Sequence, residues 1–72
     1  MTKTALEAYL TNRIQTYEPD VTGVIVNRED PSLKGYSWDV SRIDGPLSES
    51  MLDKVERAVI FPLQRKIDLI DE

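Results

Sequence analysis

The chain reads as a small α+β fold, a helix–hairpin–helix in two layers, on three observations. Apolar residues recur at Leu52, Val55, Val59, Leu63, Ile67 and Ile70 in steps of three or four, which places them on one stripe of a C-terminal helix. A shorter stripe of Leu6, Leu10, Ile14 and Tyr17 marks an N-terminal helix, flanked by Tyr9. Between the two, Tyr36, Trp38 and Val40 alternate with Ser37, Asp39 and Ser41, the period-two pattern of a strand with one dry face and one wet face. A hairpin of two strands is barely stable alone, so both helices are expected to cover one of its faces. Leu10, Ile14, Val55 and Val59 should then meet the aromatic strand.

The first helix is expected over residues 3–17. Thr4 and Glu7 have the spacing of a capping box, and Pro19 disfavours helical backbone at Glu18. Val21–Asn27 is β-branched and reads as the first strand; Gly23 suggests a bulge or a close approach of the helix. The segment Arg28–Gly35 is punctuated by Pro31 and Gly35 and reads as a turn. Gly35–Arg42 is the second strand, and the short connection makes the pair antiparallel. Ile43–Pro46 turns the chain into a helix expected over Ser48–Glu72, with Ser50 and Asp53 as its capping box.

Pro62 interrupts that helix. It lacks an N–H and its ring crowds the carbonyl four residues back, so the helix should kink there or break near Ile60. Either way Ile60 and Phe61 are expected to turn off the main stripe, with Met51 and Ala58 near the same second face. Pro62 also predicts extended backbone at Phe61. An aromatic residue thrown outward in this way is a candidate contact for a partner.

Composition narrows the chemistry. Seventy-two residues suit one domain, 1–72, with a core of marginal size. With no cysteine and no histidine, the chain offers no disulfide, no thiolate nucleophile, no zinc site of the usual kind and no imidazole base. No EF-hand loop, Walker loop, Gly-rich dinucleotide motif or serine elbow is present, so neither catalysis nor a cofactor nor a metal is expected. Lys34 and Lys54 stand among polar residues and should be solvated, which is wrong for the desolvated base of a serine–lysine pair. No apolar run approaches the ~20 residues that span a bilayer, and the N-terminus lacks an apolar leader, so a cytoplasmic protein with no membrane contact is expected.

Thirteen acidic residues against nine basic ones give a net charge of -4. That balance provides little counterion-release drive, so no direct binding of nucleic acid is expected. The simplest reading of the acidity is solubility. Glu29 and Asp30 fall in a turn where they could hold back edge pairing, and they are also candidate partner contacts. A second reading gathers Glu18, Asp20, Glu29, Asp30 and Asp39 with Asp68, Asp71 and Glu72 into a phosphate-like face that decoys a nucleic-acid-binding protein. Arg57, Arg65 and Lys66 interrupt that pattern. Trp38 and Tyr36 could stack on bases, but a strand with Asp39 beside Trp38 and only Arg42 nearby lacks the basic surround, which favours the core for both.

Leu10, Arg13, Ile14, Pro19, Asp20 and Val24, in the run LTNRIQTYEPDVTGVIV, resemble the helix-to-strand junction of the DNA-damage-inducible protein I family. The resemblance covers about a quarter of the chain and implies a second strand, an acidic helix and action on a recombinase filament. That family carries a strand before its first helix, whereas this chain starts with the helix. The helix–hairpin–helix order is also similar to the head-to-tail joining proteins of tailed phages, a likeness of fold alone.

The expectation from sequence is a small acidic, non-catalytic protein-binding module, such as an accessory or inhibitor protein of a phage or mobile element. Its candidate contacts are Phe61, Ile60, Met51, Glu29 and Asp30. The alternatives are the nucleic-acid mimic and a structural subunit that assembles with copies of itself.

Overall fold

A computed structural model describes residues 1–70. The elements are α1 (Lys3–Gln15), β1 (Gly23–Arg28), a single-turn α2 (Pro31–Lys34), β2 (Trp38–Asp44), α3 (Glu49–Val55), a π-turn (Glu56–Ile60) and α4 (Phe61–Lys66). The strands pair antiparallel into a two-stranded sheet. Leu6, Leu10 and Ile14 from α1, Val24 and Val26 from β1, Trp38 from β2, and Val55 and Val59 from the C-terminal helix form one buried core. This is the α+β helix–hairpin–helix architecture that the periodicities predict.

Both helix starts are capped two residues earlier than expected. Thr2, not Thr4, caps α1, its Oγ1 accepting the Ala5 amide at 3.3 Å. Ser48, not Ser50, caps α3, its Oγ accepting the Met51 amide at 3.2 Å. The carboxylates of the two expected capping boxes are used elsewhere. Asp53 pairs with Arg57 one turn on. Glu7 reaches across to the sheet, where its Oε2 accepts the Val26 amide at 2.9 Å.

That last bond answers a break in the sheet. The register runs Val26↔Val40 and then Ile25↔Arg42, so Ser41 is an extra residue in β2, a β-bulge. The expectation of a bulge at Gly23 is thereby corrected. Its Cβ position would meet only Asp44 Oδ2, at an ordinary 3.5 Å. The bulge resets the alternation of β2. Without it Arg42 would follow Trp38 and Val40 onto the dry face; with it Ile43 pairs with Val24 and packs on the core. Glu7→Ala should leave the Val26 amide without its acceptor and cost about 1–3 kcal/mol. Glu7→Gln, whose amide oxygen can still accept, should lose much less. A denaturation midpoint equal in Glu7→Ala and wild type would refute the role.

The hairpin connection is more ordered than a plain turn. Asp30 caps α2 by accepting the Ser32 amide at 2.9 Å, Pro31 opens it, and Gly35 closes it at φ 80°, where a side chain would be strained. The Ser32 hydroxyl and then the Ser32 amide, both donating to the carboxylate, hold the Asp30 pKa below its ordinary value.

Three further expectations fail for one reason: periodicity cannot see where an element stops or slips. Tyr17 is 38 % exposed because α1 ends at Gln15 and helical spacing no longer applies. Ile60 is 3 % exposed, in the core rather than turned away from it. The chain also stays helical through Phe61, at φ -61° and ψ -45°, rather than extended. Pro62 explains the last two. It cannot donate to the Ala58 carbonyl, and its ring would crowd that oxygen. The Phe61 amide instead reaches back five residues to Glu56 O, a π-turn that widens the helix ahead of the ring. The inserted residue rotates the end of this turn, and Ile60 joins Val59 inside.

Downstream, the helix ends at Lys66 rather than running to Glu72, and Ile67 is extended at φ -119° and ψ 127°. Asp71 and Glu72, at the end of the expected helix, lie outside the described residues. Residues 67–70 form a strap across the mouth of the core. Ile67 O accepts the Trp38 indole N–H at 2.9 Å, and the Leu69 amide donates to Ser37 Oγ at 2.8 Å. Ser37 is therefore buried, not on a wet face. The Ile70 amide donates to Met1 O at 2.9 Å and the Arg28 guanidinium donates to Leu69 O and Ile70 O. Ile70 itself is half-exposed, as is Leu52 to a lesser degree, so neither end of the expected stripe is core.

Candidate functional site

A two-stranded sheet has two edges, and side chains cover both where Val26 faces Val40. On the β1 side Glu7 takes the Val26 amide. On the β2 side Asp39 Oδ1 takes the Val40 amide at 2.8 Å, and Gln64 Nε2 donates to Trp38 O at 2.9 Å and to Asp39 Oδ1 at 3.2 Å. Gln64 is itself buried, on the turn of α4 that faces the strand. Backbone groups that could recruit another strand are occupied at these positions, a guard against edge-to-edge pairing. The molecule offers side-chain surface there instead.

Between β2 and the C-terminal helix lies a groove of about 470 Å³. Val40, Ile43, Leu47, Leu52, Ile60 and Phe61 supply its apolar lining. Two smaller concavities of about 390 Å³ each adjoin it. One is bounded by Arg57, Pro62, Arg65 and Lys66, the other by Lys34, Tyr36, Asp39, Gln64 and Arg65. Phe61 lines all three and is 48 % exposed. The π-turn and Pro62 create this position: they carry Ile60 inward and leave the next residue standing at the junction.

Around Phe61 the charge is mixed but net positive: Lys34, Arg42, Arg57, Arg65 and Lys66 line the three concavities together with Asp39 and Glu56, and the one between Arg57 and Lys66 is wholly basic. Arg57, Phe61 and Arg65 stand at steps of four along the helix, with Lys66 beside them and Lys34 across the neighbouring concavity. Arg57 shares an exposed ion pair with Asp53 at 3.3 Å. Lys34, Arg65 and Lys66 have no ion pair among the described residues. The spacing is visible in the sequence as an interruption of acidity; its meeting with Lys34 from the hairpin is not, because that needs the fold.

The other expected contacts do not join Phe61 at the surface. Met51 is partly buried and packs on the core, and Ile60 reaches the groove only as its floor. Glu29 and Asp30 line none of the three concavities, and Asp30 serves α2. Among the described residues no three acidic groups gather closely enough to hold a metal ion, and no helix is long and apolar enough to cross a membrane. Comparison with family models, with curated proteins and with solved structures returned no match, so the surface is interpreted from its own geometry.

Proposed function

We propose that this protein is a non-catalytic protein-binding module that docks its partner on the surface centred on Phe61. The observation that supports this is a half-exposed phenylalanine, the only one in the chain, where three concavities meet. Aromatic residues set in pockets are the usual energetic centres of protein interfaces. A module of this size suits an accessory or inhibitor protein. Three of the carboxylates that an acidic decoy would display accept local hydrogen bonds: Glu18 from the Asp20 amide, Asp30 from the Ser32 amide and Asp39 from the Val40 amide.

Phe61→Ser separates docking from packing. Its stability should stay within about 1 kcal/mol of wild type, since half-exposed sites contribute little. Capture of a partner from host lysate, or self-association seen as mass in solution, should be lost. A loss of several kcal/mol in a chain that is monomeric throughout would make Phe61 a core residue and end the proposal, as would undiminished capture.

A further inference from the structure

We infer that the Phe61 surface recognises a short acidic segment of a partner protein, one that places a bulky apolar side chain against Phe61 and carboxylates on the flanking cations. This rests on the protein-binding reading above and names the chemistry of the partner.

The argument is charge complementarity on a small scale. The chain carries a net charge of -4, yet the concavity that Arg57, Arg65 and Lys66 form beside Phe61 holds no carboxylate, and Lys34 adds a cation to the next one, where Asp39 is the single acid. Local fields of this kind select partners and set the encounter rate. Arg65 and Lys66 also sit in the last turn of α4, where they complement the helix dipole. That duty does not call for Lys34, which arrives from α2, nor for Phe61 between the cations. Arginine presents a planar fork to a carboxylate, and Arg57 and Arg65 line one concavity with the ring.

The shape sets the length of the ligand. Each concavity holds about 390–470 Å³, enough for one or two side chains. A single-stranded nucleic acid would also find cations and a ring here. It would extend past the patch, however, over a molecule whose remaining charge is strongly negative, and screening is incomplete within about 8–10 Å. A short peptide ends before it meets that field. Strand addition is disfavoured beside the groove because Asp39 and Gln64 already occupy the Val40 amide and the Trp38 carbonyl. The peptide would therefore be held by its side chains.

The test is a selection from a random twelve-residue peptide display library against the wild-type protein, with oligo-dT of thirty nucleotides assayed in parallel. Enriched peptides should share one aromatic or leucine flanked by Asp or Glu. Binding of a synthetic enriched peptide should fall roughly tenfold or more in the Arg65→Glu/Lys66→Glu variant. It should fall similarly in Phe61→Ser, and weaken with added salt. Circular dichroism melts confirm that each variant is folded; should the double charge reversal not fold, Arg65→Gln supplies the same comparison with a smaller loss. Enriched peptides with no acidic bias that still compete at Phe61 would overturn the acidic class while leaving the protein-binding reading intact. Failure to enrich any peptide dependent on Phe61 would overturn both. Tighter binding of oligo-dT than of any peptide would assign the patch to nucleic acid instead.

Discussion

Val59→Asp is expected to leave the chain unfolded at room temperature. Val59 is 1 % exposed, and the buried groups around it are apolar side chains of α1, the hairpin and its own helix. A carboxylate there has no cation to pair with in the core and no route to water, because the helix continues on both sides. Small domains sit near the lower end of the usual ~5–15 kcal/mol of stability, and burying an unpaired charge is among the few changes that can cost about 4–5 kcal/mol or more. The control is Val59→Ala, which removes apolar contact without adding charge and should cost about 2 kcal/mol. Circular dichroism should show no cooperative melt for the aspartate and a lowered but cooperative one for the alanine. A near-wild-type melt for Val59→Asp would mean that the C-terminal helix does not pack as described.

Val59 is identifiable as core from sequence because it keeps the step of four from Val55, although it lies inside the π-turn. So are Leu6, Leu10, Ile14 and Trp38, each inside a stretch of constant period. Some misplaced residues lie where an element ends, as Tyr17 does, and others where a residue is inserted. Ile60 ends the π-turn, and Ile43 lies just past the bulge at Ser41. A π-turn and a β-bulge each add one residue without changing composition, so a fixed period turns Ile60 outward and ends the second strand before Ile43, placing Ile43 in a turn. The caps differ for another reason. Thr2 and Thr4, like Ser48 and Ser50, are locally equivalent candidates. The choice turns on Glu7 and Asp53, whose carboxylates are used at Val26 and Arg57. Phe61 is exposed as its neighbour Pro62 suggests, although its backbone is helical. Pro62 does disturb the helix there, but through a π-turn rather than an extended residue. Lys34 joins the candidate surface only through the short helix at the hairpin tip, which a turn-rich segment does not announce.

Leu69→Asp is expected to release the strap and lower the melting temperature by about 12–24 °C. Ile67 and Ile70 fit a helical stripe, whereas Ile67 and Leu69 fit the two-residue period of an extended segment, and the sequence alone does not choose. Trp38 decides between them. Its indole N–H is buried and needs an acceptor, and an extended Ile67 offers its carbonyl at 2.9 Å. The next turn of a helix would have claimed that carbonyl. Leu69 then drops into the core edge at 6 % exposure, with its amide on Ser37 Oγ. An aspartate at 69 faces the same apolar lining, but unlike Val59 it belongs to a terminal segment that can lift into water. The expected cost is therefore the lost leucine burial plus the stranded indole and hydroxyl, about 3 kcal/mol in total. At about 4–8 °C per kcal/mol for a domain of this length, that gives the stated fall. The indole reports the mechanism independently of the melt. Native Trp38 emission should shift to the red in Leu69→Asp while far-ultraviolet dichroism keeps its helical signal. An unchanged emission maximum with an unchanged melting temperature would place the strap off Trp38 and return residues 67–70 to the helix that their spacing also allows.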